Sequence, residues 1–133
     1  MNEKDLCKKA IEAAKNSYAP YSGYNVGAAL LTKEGKIYLG ANIENAAYPA
    51  TVCAERTAIF KAVSEGERDF SMLAVVGVKD GVVMGDSYPC GVCRQVMSEF
   101  CKKDFPVLIV KSEEEYEKYT LADLLPFSFV LDK

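Results

Sequence analysis

Two short stretches, Cys53-Ala54-Glu55-Arg56 and Pro89-Cys90-Gly91-Val92-Cys93-Arg94, bring together three thiols, one carboxylate and two guanidinium groups. Three thiolates can hold zinc with a fourth position left for water, as catalytic zinc requires, whereas structural zinc closes that position with protein. The chain contains no histidine. Thiolates must therefore hold any such metal, and a carboxylate must move the protons. Glu55, two residues after the first cysteine, is the candidate for that work. Cys90 and Cys93 share one face of a helix start, three residues apart. Taken alone, Cys-x-x-Cys also suits a redox pair or a structural zinc.

This chemistry sets conditions on the elements that carry it. If Cys53 and Cys90 each stand at the start of a helix, both helices aim their free N–H groups and partial positive charge at one point. That setting favours the thiolates a metal needs. Positions i and i+2 of a regular helix point to nearly opposite sides. Cys53 and Glu55 can converge only if Cys53 occupies the first, irregular position of a helix that begins near residue 52. Zinc with three thiolates carries a formal charge of −1, which works against acidifying a water. A cation against the sulfurs relieves this, and Arg56 is favoured for the role over pairing with a surface carboxylate. For Arg94 the two roles are equally open.

The remaining pattern supplies a scaffold. Residues 4–17 read as an amphipathic helix through Leu6, Ala10, Ile11, Ala13 and Ala14, ended by the Pro20 and Gly23 breakers. Val26–Leu31 and Lys36–Ala41 read as strands joined by a Lys33-Glu34-Gly35 turn. Asn42–Ala50 reads as a polar loop. A largely buried helix is expected over about 52–65, and the valine-rich run Met72–Val78 has the look of a central strand covered on both faces. After a Gly81–Tyr88 loop come a helix over 91–102, a strand over 105–111 and a helical turn at 121–125. This order implies a mixed sheet with helices on both sides.

With 133 residues, half of them apolar, the chain is long enough for one ordinary domain with a real core and is expected to form a single catalytic domain over 1–133. A net charge of −3 offers no footprint for a nucleic-acid backbone, and Glu113-Glu114-Glu115 reads as a solvated face. No run is long enough to span a membrane, and the charged N-terminus lacks the apolar centre of a secretion signal. Five cysteines is an odd number. Reduced thiols in a cytoplasmic protein are expected, with Cys7 and Cys101 acting as small buried or partly buried apolar residues.

Cys-Ala-Glu-Arg followed by Pro-Cys-Gly-x-Cys-Arg-Gln resembles the cytidine deaminase family, in its small, homotetrameric, three-cysteine type. Zinc deaminases more broadly combine such a glutamate with Pro-Cys-x-x-Cys and allow a three-cysteine ligand set. Tyr18-Ala-Pro-Tyr-Ser, Val26-Gly-Ala-Ala-Leu, Gly40-Ala-Asn-Ile-Glu-Asn-Ala-Ala-Tyr-Pro and Leu124-Leu-Pro-x-x-Phe129 are similar to family segments in family order, across nearly the whole chain. The resemblance implies a three-layer α/β/α fold around a mixed five-stranded sheet, with one zinc per subunit on Cys53, Cys90 and Cys93. It further implies pyrimidine salvage by hydrolytic deamination of cytidine and 2′-deoxycytidine, with attack at C4 by an activated water and Glu55 shuttling protons. The Ala54 backbone would face the pyrimidine edge, Tyr24 would stand where the family has a ring-stacking phenylalanine, and Asn42 and Glu44 would bind the ribose. Ala46, Tyr48 and Phe129 would come from a neighbouring subunit.

Other readings remain open beside this one. A deaminase acting on blasticidin S would share fold and metal, although Arg56 and the Asn42–Glu44 loop favour the nucleoside enzyme. An enzyme editing tRNA or single-stranded DNA conflicts with the acidic charge. A noncatalytic zinc module closed by Cys7 or Cys101, or a thiol redox protein using Cys90 and Cys93, would leave Glu55 and the Asn42–Tyr48 loop without a purpose.

Overall fold

The computed structural model describes residues 1–133. Its first helix, α1 (Glu3–Ala14), starts where Asn2 accepts the Asp5 N–H at 2.8 Å while the Asp5 carboxylate accepts the Asn2 N–H, a reciprocal cap that satisfies two otherwise unpaired donors. The β1 (Tyr24–Thr32) and β2 (Ile37–Ala41) strands form the expected antiparallel hairpin, with Gly35 at φ 94° in its turn. Then follow α2 (Ala54–Ser64), β3 (Phe70–Lys79), β4 (Val82–Val83), α3 (Gly91–Phe100), β5 (Pro106–Val110), β6 (Tyr116–Thr120) and α4 (Leu121–Leu124).

The sheet runs β2-β1-β3-β5-β6, with β3 and β5 parallel and the other neighbours antiparallel. This is the mixed five-strand path expected, extended by β4, which folds back onto β3 as a two-residue sixth strand. The reversal is made by Asp80 (φ 52°) and Gly81 (φ 77°), both left-handed as a tight hairpin turn demands. The strand β6 lies where no strand was expected. Its sequence, Tyr-Glu-Lys-Tyr-Thr, leaves it half-exposed at the sheet edge, and edge strands tolerate charge.

Alternation along the central strands sorts the core into two layers. Leu73, Val75, Val107 and Ile109 pack with Ala58, Ile59, Ala62 and Met97 of α2 and α3. Their neighbours Ala74, Val76, Leu108 and Val110 pack with Leu6, Cys7, Ala10 and Ala14 of α1 on the opposite face. Burial on both faces explains the unbroken apolar runs of β3 and β5. No helix is long and apolar enough to cross a membrane.

The seat of α2 depends on Gly40. A Cβ there would overlap the Ala54 carbonyl oxygen and the Ala58 nitrogen, backbone atoms that cannot rotate away. Gly40→Ala is expected to destabilise the protein by about 1–3 kcal/mol through overpacking, read as a lower denaturant midpoint at unchanged m-value.

Candidate metal centre and active site

Strands β2 and β3 both lie antiparallel to β1, so they run in the same direction and their C-terminal ends share one edge of the sheet. From that edge the chain turns into α2 and α3, whose N-termini are brought together. Cys53 is the N-cap of α2 (φ −77°, ψ 155°) and Cys90 the N-cap of α3 (φ −69°, ψ 167°). Neither cap side chain makes the usual capping bond to its own helix's backbone N–H groups, which leaves the sulfurs free to meet one another. Because Cys53 precedes the first regular turn, it and Glu55 line the same cavity. The convergence condition is met, with the helix starting at Ala54, slightly later than expected.

The sulfurs of Cys53, Cys90 and Cys93 lie within 4.8 Å of one another, and no further histidine, cysteine or carboxylate joins the group. The Cys53 and Cys90 sulfurs are 3.6 Å apart. A tetrahedral zinc with bonds of about 2.3 Å needs sulfurs about 3.8 Å apart, so the spacing fits the ion. Soft thiolates suit zinc chemically, and all five cysteines are free. Cys7 is buried under α1 on the opposite face of the sheet, and Cys101 caps the far end of α3. Eight residues of helix separate Cys101 from Cys93 by about 12 Å. Neither can close the fourth position. Cys7→Ala and Cys101→Ala are each expected to retain zinc at the wild-type ratio, measured by metal analysis after gel filtration.

Charge around the sulfurs is unevenly shared. The Cys93 thiol donates to Cys53, whose pKa is lowered to about 5 with further help from Arg56. That same bond and burial hold Cys93 well above the usual thiol range. Arg56 donates from Nη2 to the Cys53 sulfur at 3.3 Å, and its Nε is buried with no hydrogen-bond partner. The partly buried guanidinium thus sets a positive charge directly against the Cys53 sulfur. Arg56→Ala is expected to weaken zinc affinity about 10–100-fold, the usual cost of losing a group that supports metal ligands, as read by competition with a chromophoric chelator. Arg94 serves neither of the roles considered for it. Its Nε donates to the Pro89 carbonyl at 2.7 Å and its Nη1 to the Leu124 carbonyl at 2.6 Å, tying the start of α3 to α4.

Glu55 is 3% exposed, and burial pushes its carboxyl up to about 7. It borders a cavity of about 280 Å³ whose walls include Tyr24, Asn42, Cys53, Ala54 and Cys90. Glu44 and Tyr48 line a separate cavity of about 400 Å³, to which Thr51 also contributes. Ala46 is exposed and lines neither; Phe129 sits on the exposed C-terminal tail, its carbonyl accepting from Gln95 on α3 at 2.9 Å.

Asn42 and Glu44 also hold the fold. The Asn42 amide accepts from Val26 N at 2.8 Å and from the Ser17 hydroxyl, and donates to the Tyr24 carbonyl at 2.9 Å. Glu44 accepts from the Tyr21 and Ser22 N–H groups at 2.9 and 3.1 Å, and the Ser22 hydroxyl bonded to it holds its pKa down. These bonds span up to 25 positions, so they are not local turn bonds. Sequence reasoning missed Asp86, Ser87 and Tyr88, which wall the cavity beside Cys90. The one signal for them was their place immediately before Pro89-Cys90.

Comparison with known proteins bears on this arrangement. Residues 1–109 match the family described as "Cytidine and deoxycytidylate deaminase zinc-binding region". A cytidine deaminase of Sporosarcina psychrophila is 49% identical over 97% of this chain and 92% of its own length. That of Halalkalibacterium halodurans is 47% identical over 99% and 97%. The crystal structure of cytidine deaminase from Burkholderia pseudomallei superposes with a TM-score of 0.89 at 42% identity, covering 97% of this chain and all of that one, 100%. Likeness of this depth reaches well past the sulfur cluster into the sheet and both flanking layers. The chain belongs to the cytidine deaminase family of hydrolytic deaminases.

Proposed function

We propose that the protein hydrolyses cytidine and 2′-deoxycytidine to uridine and 2′-deoxyuridine with release of ammonia, a step of pyrimidine salvage, acting as one catalytic domain over residues 1–133. The observation that carries this reading is a buried carboxylate, Glu55, on the wall shared with a three-thiol group that has no fourth protein ligand. Cys53, Cys90 and Cys93 would hold one zinc ion per subunit, which would supply Lewis-acid chemistry to activate water near neutral pH. Glu55 takes one proton from the attacking water and delivers it to N3 of the pyrimidine. It then takes the second proton, from the hydroxyl added at C4, and passes it to the amine, which leaves as ammonia while the C4 carbonyl forms. Its burial supports both roles, because a carboxyl with a pKa near the working pH both accepts and donates.

Ala54 offers its backbone to the pyrimidine edge, and the Tyr24 ring lies against the base. Asn42 and Glu44 bind the ribose hydroxyls. Asn42 keeps one N–H beyond its donation to Tyr24, and Glu44 keeps lone pairs beyond those that Tyr21 and Ser22 occupy. A carboxylate in that position repels a phosphate, so free nucleosides are the substrates. Ala46, Tyr48 and Phe129 complete the pocket of a neighbouring subunit in a homotetramer. Supporting this, Tyr48, Phe127, Phe129, Val130 and Leu131 are all exposed, an apolar set that water disfavours. Five unpaired cysteines support a reducing, cytoplasmic setting.

Purified protein incubated with cytidine should shift the ultraviolet spectrum to that of uridine, with one ammonia per uridine. Blasticidin S, tested alongside, should be converted at least an order of magnitude more slowly. The reverse preference would assign the chain to the antibiotic-modifying branch.

A further inference from the structure

The wall of the cavity contains a polar contact that the proposed chemistry does not use. Only three polar or charged residues are buried in the protein: Thr32, Glu55 and Ser87. The Ser87 hydroxyl shares a hydrogen bond with the Tyr24 hydroxyl, across 63 positions of sequence. Both oxygens sit over Gly77 of β3, where a Cβ would overlap each of them. The absence of a side chain at Gly77 is therefore what lets the two hydroxyls meet at the sheet surface.

Ser87 belongs to the segment that delivers Cys90 to the metal group, with only Tyr88 and Pro89 between them. The rest of that segment is tied down outside the cavity. Met84 N donates to the Gly77 carbonyl at 2.9 Å, and Lys111 Nζ donates to the Gly85 carbonyl at 2.7 Å. Tyr88 donates to Glu117 at 3.1 Å and meets the Tyr119 ring edge-on, with centroids 6.0 Å apart. Ser87 supplies the tie on the cavity side, and its partner is the ring placed against the base.

We propose that the Tyr24–Ser87 hydroxyl pair is a latch that fixes the Tyr24 ring and the 84–90 segment as one preformed wall for the pyrimidine. Both residues act here by positioning, and the assignment of the base to this wall rests on the deaminase reading above. The tyrosine at position 24 thus has a purpose that a phenylalanine would not serve. Without its hydroxyl the buried Ser87 oxygen loses its partner, and without Ser87 the ring loses its tether.

The test compares wild type with Tyr24→Phe, Ser87→Ala and the double variant, all loaded with zinc. Each single variant should raise KM for cytidine about five-fold, the worth of one net hydrogen bond, with kcat changed less than about two-fold because Glu55 and the sulfurs are untouched. The double variant should match the more impaired single variant, because the second change removes a bond already broken. Amide hydrogen exchange provides a readout independent of turnover. It should accelerate over residues 84–90 in both single variants and stay at wild-type rates in β5 and α1. Additive effects on KM, or unchanged exchange over 84–90, overturn the latch. Wild-type protein without cytidine turnover would instead overturn the deaminase reading, while the exchange rates still decide the latch.

Discussion

Glu55→Gln is expected to lower kcat for cytidine by about 10²–10⁴-fold, the usual weight of one positioned acid-base group, while zinc content and the folded state are retained. Glutamine keeps the size and one acceptor oxygen but can neither take a proton from water nor deliver one to the base. The carboxyl lies at the second position of α2, 3% exposed, and no hydrogen bond to another side chain holds it there. Its retention in so dry a place opposes stability, since burying a carboxylate is costly without a partner. The variant should therefore be at least as stable as wild type in denaturant unfolding while its activity collapses. Activity within a factor of a few of wild type would remove Glu55 from the proton path.

Cys93→Ala is expected to abolish both zinc retention and turnover. Of the three thiols Cys93 is the one fully shielded from solvent, and it stands one helical turn above Cys90, so no other group can take its place. Without it the two remaining sulfurs form an incomplete site. Binding to the native state alone stabilises a protein by about 4 kcal/mol when ligand exceeds Kd a thousand-fold. Loss of the metal should lower Tm by at least about 5 °C for a domain of this size. The chain should stay folded, because the layers on both sides of the sheet are packed mainly by apolar side chains other than the three cysteines. Treating wild type with a strong chelator should reproduce the same Tm shift and restore on adding zinc. One zinc per chain in purified Cys93→Ala would refute the ligand assignment.

How far the sequence carried depended on whether a signal was local. The grouping of the three thiols was legible because Cys90 and Cys93 have ligand spacing and the absence of histidine left no competitor. The need for Cys53 to precede the regular helix followed from side-chain directions alone. Central strands announced themselves because burial on both faces demands continuous apolar residues. The β6 strand did not, since its outer position lets Glu117 and Lys118 interrupt the pattern. For β4 a signal existed in Asp80-Gly81, a hairpin pair hidden inside what reads as a loop. Ser87 and Tyr24 illustrate the harder limit, because a serine in a loop carries no spacing signature and gains its partner only when β1 and β3 pair. Arg94 shows the same limit, being drawn to carbonyl groups of Pro89 and Leu124 that no motif links.

The most direct test of the central claim is a zinc titration of metal-free protein with cytidine turnover followed at each step. Activity should rise linearly with added zinc and level off at about one equivalent per chain, as a single open three-thiolate site requires. Turnover that persists in metal-free protein, or one equivalent of zinc bound with no uridine formed, would contradict it.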